Sequence, residues 1–375
     1  MKKNWQIKIF VLVMAISLIA CKTVMGPSNE DITESSPPTN ESEVESAEVP
    51  TVAPSFGGDE NSTESCFEGE NYHSNSGLCY RDDGGAESAF LALMDGVIDY
   101  SDEDFADEEE VAEEMRLVMY SVHEDEISDP EYEDVSAELR VLQEDSASHE
   151  RVWQFFTAII PQERRDFVRN FIVFTDGQNG TLAAVEQTAD DPYSWMIEID
   201  PEDSNDKQDF TFTLIHEYGH LLTLNSAQVA VDEYVFNNPE DDDAYFEAED
   251  NCATYFTGEG CATSSSYFYL FFDEFWADTY NEWLDIETIE DDDAYYDALD
   301  EFYLGRDDEF VTEYAMTNPG EDIAESWAVF VTYPKPAGNT IGENKVLFFY
   351  QFPELVELRR EIIARTYSRL IRTGE

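Results

Sequence analysis

Apolar and polar positions alternate along this chain in blocks that name its elements. Val152, Phe155, Phe156, Ile159 and Ile160 recur at the spacing of one helical face. Phe171-Ile172-Val173-Phe174 is a continuous apolar run closed by Asp176-Gly177, the mark of a buried strand. Leu182 to Gln187 reads as a second strand, and Trp195 to Ile199 as a third, stopped by Asp200-Pro201. A helix from Phe210 to Leu224 follows, with Asn225 as its breaker. Upstream, Ala89 to Met94 and Met115 to Met119 are short apolar patches set in dense acid, which reads as amphipathic helices of a small leading subdomain, residues 86–149. The expected class is α+β: a small sheet, one long apolar helix and C-terminal helices over 150–375.

An acidic, aromatic-rich lobe is inserted at 226–310. It holds an internal echo, Glu240-Asp-Asp-Asp-Ala-Tyr-Phe-Glu-Ala248 against Glu290-Asp-Asp-Asp-Ala-Tyr-Tyr-Asp-Ala298. Acid followed by alanine and aromatics suits two helix N-termini, where carboxylates complement the dipole. The alternative, a calcium loop, lacks the ligand spacing of an EF-hand.

The formal net charge is −65. Nothing on such a surface neutralises phosphates, so nucleic acid is excluded as a partner; solvation in saline or alkaline surroundings is the plain reading. The arginines Arg359, Arg360, Arg365, Arg369 and Arg372 gather in the last helix, which should dock against acidic neighbours.

Lys2, Lys3 and Lys8 precede an apolar run from Ile9 to Ala20, a signal peptide over 1–20, and Leu18-Ile19-Ala20-Cys21 has the form of a bacterial lipobox. Cys21 is therefore the expected lipidation site, placing the protein on the extracytoplasmic face of the cell membrane. Residues 21–85 are too poor in large apolar side chains to fold and should act as a tether. Beyond Cys21 the cysteines are even in number, and the short loops Cys66–Cys79 and Cys252–Cys261 are the pairings that close most cheaply.

The chemistry centres on His216-Glu217-Tyr218-Gly219-His220. Two histidines four apart project from one face of a helix and can chelate one metal ion, with the adjacent glutamate as general base. A catalytic zinc needs a third protein ligand. His73, His123 and His149 have no supporting motif and read as surface residues, which leaves carboxylates. Glu274-Phe-Trp-Ala-Asp278 and Glu321-Asp-Ile-Ala-Glu325 both offer one carboxylate for the metal and another one turn on. Spacing does not separate them. Thr317-Asn318-Pro319-Gly320, a helix-start signal, favours the surroundings of the second.

His-Glu-x-Gly-His together with Tyr314-x-x-Thr317-Asn318-x-x-Glu321-x-x-Ala324-Glu325 resembles the gluzincin metallopeptidases related to the catalytic domain of anthrax toxin lethal factor. That resemblance implies a zincin-like catalytic domain in which Glu321 is the third zinc ligand, Tyr314 donates to the oxyanion and Glu325 orients a ligand histidine. It also implies that an edge strand two before the active-site helix, around Ala183, Ala184 and Val185, holds an extended peptide. The expected activity is a zinc-dependent endopeptidase acting on peptide or protein substrates. Two alternatives stay open: a non-catalytic surface-binding or adhesion lipoprotein with a degenerate site, and a zinc amidase acting on cell-wall peptides. The oligomeric state is not legible.

Overall fold

A computed structural model describes residues 71–73, 78–80, 85–97, 114–177, 181–289 and 291–372. The expected signal peptide, the lipidation site Cys21, Cys66 and all but short pieces of the tether lie outside the described residues, as does the side chain of Cys79. The fold is mixed α+β, as expected.

β1 (Asn71–His73) and β2 (Leu78–Tyr80) form an antiparallel pair. The main sheet is built from β3 (Met115–His123), β4 (Glu126–Tyr132), β5 (Val168–Thr175), β6 (Ala183–Thr188) and β7 (Asp191–Ile199), in the order β4-β3-β5-β7-β6. β5 lies at the centre, which explains the unbroken run Phe171–Phe174: both of its faces are covered. β5 and β7 are parallel, whereas β6 returns antiparallel to β7 and forms the edge.

The segment Met115 to Met119, expected as helix, is a strand of this sheet. Leu117 aside, its buried positions are Val118, Tyr120 and Val122, a period of two that emerges only when the window runs past Met119. The leading segment accordingly supplies part of the central sheet. α1 (Ala86–Met94) packs on the C-terminal helix, where Glu87 and Arg359 make a buried ion pair.

α2 (Arg140–Gln143) leads into α3 (Ser146–Ile159), whose inner face carries Val152, Trp153, Phe156 and Ile159. Trp153 meets Phe171 of β5 at 5.4 Å between ring centroids. His149 belongs to that same face and is 1% exposed, contrary to the surface position expected for it. Its Nδ1 lies 2.9 Å from the Tyr120 hydroxyl and its Nε2 2.9 Å from the Leu142 carbonyl. The spacing from His149 to Val152, Trp153 and Phe156 already places it on the buried stripe. His123 is exposed.

α4 (Lys207–Leu224) starts at Asp206, whose carboxylate caps the amides of Gln208 and Asp209. It packs on α3 through Phe155 stacked on Phe210 at 4.9 Å, and beside β6 of the sheet. The inserted lobe follows with β8 (Val229–Val231), α5 (Glu233–Asn237), α6 (Asp242–Asn251), β9 (Gly260–Ala262), α7 (Tyr267–Phe275), α8 (Tyr280–Glu287) and α9 (Asp292–Leu304). Both halves of the acidic echo start helices: Asp241 caps α6 through the Ala244 amide, and Asp291 caps α9 through the Ala294 amide. Cys252 and Cys261 are disulfide-bonded, as their short spacing suggested.

α10 (Pro319–Thr332), α11 (Ile341–Phe349) and α12 (Pro353–Tyr367) close the fold. α10 is buried along its whole length, so each of its polar side chains needs a partner inside the fold. Its one charged residue away from the histidines, Asp322, is neutralised by Lys345 of α11 at 2.6 Å and accepts from the Trp276 indole at 2.7 Å. Phe271 and Trp276 are core residues. In α12, Arg359 reaches Glu87, while Arg365 donates to the carbonyls of Thr157 and Ala158. Among the described residues, no helix is long and apolar enough to cross a membrane.

Candidate metal centre

The site forms where α10 crosses α4. His216 and His220 stand one turn apart on α4, both buried, with ring centroids 4.9 Å apart. Glu321 comes from the first turn of α10. Asn318 starts that helix: its side chain accepts from the amides of Gly320 at 2.8 Å and Glu321 at 2.9 Å, with Pro319 following it. The helix-start signal read from Thr317 to Gly320 therefore sets the direction in which Glu321 projects.

Three atoms converge. Nε2 of His216 lies 3.1 Å from Nε2 of His220 and 3.1 Å from Oε2 of Glu321, and the His220–Glu321 separation is 3.4 Å. This buried group could hold a metal ion. Glu274, the competing third ligand, is exposed near the end of α7, as is Asp278. Geometry thus separates two segments that spacing left equal.

Glu325 lies one turn beyond Glu321. Its Oε1 is 2.6 Å from Nδ1 of His216, and its Oε2 accepts from the Thr312 hydroxyl at 2.7 Å. With Nδ1 committed to the Glu325 carboxylate, one His216 proton belongs on that nitrogen, and Nε2, which faces Glu321, is the nitrogen that gains or loses the second. Burial disfavours a charged His216, but the Glu321 and Glu325 carboxylates override it and raise its pKa well above the usual range. Burial likewise opposes a charged Glu321, yet His220 and His216 hold its pKa below the ordinary carboxylate value.

Glu217 is buried beside these groups. Burial pushes its carboxyl up to about 7, with Glu321 and Glu325 adding to the effect and the two histidines opposing it. Tyr314 sits in a 3-10 turn, Tyr314–Thr317, with its ring 6.0 Å from that of His216. Burial keeps its phenol protonated, reinforced by the nearby carboxylates of Glu321, Glu217 and Glu325.

Ala183, Ala184 and Val185 lie in β6, the edge strand, which pairs only with β7 among the described strands. α4 packs beside that strand.

Two contributors escape a reading of the sequence. Thr312 supports Glu325, but a lone threonine ahead of the tyrosine carries no pattern. Glu259 lies in the loop closed by the Cys252–Cys261 disulfide and is buried near His220. Burial pushes its carboxyl up to about 7, against a Thr257 hydrogen bond, a backbone hydrogen bond and the His220 ring. Neither Nδ1 of His220 nor Oε2 of Glu259 has a hydrogen-bond partner. The only hint in the sequence is a disulfide-sized cysteine pair between the helix motif and the third ligand.

No family model, curated protein or solved structure matches this chain.

Proposed function

We propose that the protein is a zinc-dependent peptidase with a zincin-like catalytic domain. The observation that carries the reading is the triangle of His216 Nε2, His220 Nε2 and Glu321 Oε2, with edges of 3.1, 3.1 and 3.4 Å. Ligand bonds of about 2.0–2.1 Å in a tetrahedron give ligand–ligand edges of about 3.3–3.4 Å. Two imidazoles and one carboxylate, with one tetrahedral corner left over, are the donor set of a catalytic zinc.

Bound zinc supplies Lewis-acid chemistry, polarising a substrate carbonyl and an attacking water. The remaining roles fall to the chain. Glu217 takes the proton from the water and returns it to the leaving amine, a role typically worth a factor of about 10²–10⁴. Tyr314 stays protonated and donates to the carbonyl oxygen as negative charge develops there. Glu325, fixed by Thr312, holds His216 with Nε2 free to coordinate. The open edge of β6 offers main-chain donors and acceptors to an extended peptide.

The test is Glu217→Gln, which keeps shape and removes the base. Full zinc content with hydrolysis of a generic peptide library lowered by at least about 10²-fold supports these roles. Undiminished hydrolysis contradicts them.

A further inference from the structure

A second group of oxygens lies at the other end of α4. Asp176 follows the last residue of β5, and Asp200 follows the last residue of β7, so two adjacent parallel strands end in aspartates side by side. Asp203 completes the group from the turn that leads into α4. One carboxylate oxygen from each of the three lies within 4.8 Å of the others.

These are not solvated surface acids. Asp176 is 4% exposed and Asp200 fully buried. Oδ2 of Asp176 accepts from the Thr181 amide at 2.9 Å and Oδ1 of Asp200 from the Glu202 amide at 2.8 Å. The other oxygen of each, Asp176 Oδ1 and Asp200 Oδ2, is buried and accepts no hydrogen bond of ordinary length and angle. The Thr181 hydroxyl is buried and unpartnered as well. Neither Asp176 nor Asp200 has an ion pair with a basic side chain among the described residues. Burial pushes the Asp200 carboxyl up to about 7, opposed by the Thr175 hydroxyl and the Glu202 amide and reinforced by Asp203 and Glu202. Converging, desolvated carboxylates with orphaned lone pairs repel one another unless a cation or a proton sits between them.

We propose that Asp176, Asp200 and Asp203 form a second metal site, taking a calcium-type divalent cation. The donors are all oxygen, with no histidine or cysteine to favour zinc. Calcium accepts six to eight oxygens in irregular arrangements, so hydroxyl, carbonyl and water oxygens can complete its shell. Asp203 is only half-buried and leaves a route from solvent. The bound cation ties the ends of β5 and β7 to the turn that begins the helix bearing His216 and His220. Its role is positional, and the site is separate from the histidine centre in place and in chemistry.

The test is calcium titration of the full chain, stripped of metals, at a salt concentration that screens its net charge. Wild type takes up one calcium and its melting temperature rises by roughly 5 °C at saturating ion. Glu321→Gln responds in the same way. Asp203→Asn, a half-exposed position, and the double variant Asp176→Asn/Asp200→Asn bind at least about tenfold more weakly. If the double variant does not fold, Asp203→Asn decides. A wild-type melting temperature unmoved by calcium overturns the proposal and leaves a shared proton as the occupant. An equal rise in the aspartate variants overturns it in favour of diffuse binding, and loss of the response in Glu321→Gln assigns calcium to the histidine centre.

Discussion

Gly219 and Ala324 meet at the crossing of α4 and α10, so closely that a Cβ on Gly219 would lie 3.0 Å from the Ala324 Cα and 3.0 Å from Cδ1 of Trp327. The glycine between Glu217 and His220 is thus a packing residue. Its missing side chain lets α10 approach until Glu321 and Glu325 reach the histidines.

Gly219→Ala should therefore act on both packing and metal. The extra methyl forces the helices apart, since the Ala324 backbone cannot rotate away, and overpacking of this kind costs about 1–3 kcal/mol. Chemical denaturation should show that loss, and competition with a chromophoric chelator should show weakened zinc binding. Unchanged stability and affinity would mean that the crossing has slack the distances do not suggest.

Glu325→Gln tests the support of His216. The amide is close in size but no longer a charged acceptor for the Nδ1 proton, so zinc affinity should fall by about 10–100-fold. Thr312→Val, which removes the hydrogen bond to Glu325 Oε2, should weaken it less. Chelator competition on both variants measures the order. A larger effect from Thr312→Val would contradict this chain of support.

Legibility in the sequence follows the range of the interaction. The run Phe171–Phe174 is readable because a central strand buries both faces, and the Asn318–Pro319 start of α10 because capping is local. Met115–Met119 misleads since five residues do not distinguish the two periods, and the alternation sits at Val118, Tyr120 and Val122. Glu321 cannot be preferred to Glu274 on spacing, because the choice is made by the α4–α10 crossing at Gly219. Glu259 is illegible for the same reason: a disulfide-closed loop carries it to His220, and no periodicity encodes that approach.

His149 predicts a pH dependence away from the metal centre. Burial lowers its pKa below 6.5, against a hydrogen bond to the Leu142 carbonyl and the Asp145 charge. Below about 6.5 the unfolded chain binds a proton that the folded ring resists. The stability this buried neutral ring confers is therefore complete above that pH and declines as pH falls towards the folded value. The difference in urea midpoint between wild type and His149→Gln should shrink as pH falls from about 7 to 5. A constant difference would mean that His149 does not titrate differently in the two states.

The central claim is that one zinc is held by His216, His220 and Glu321. Elemental analysis of purified protein and its variants tests it most directly. The account predicts one zinc per chain in the wild type, its loss in His216→Ala and in Glu321→Ala, and full retention in Glu274→Ala. Zinc kept by Glu321→Ala but lost from Glu274→Ala would contradict it.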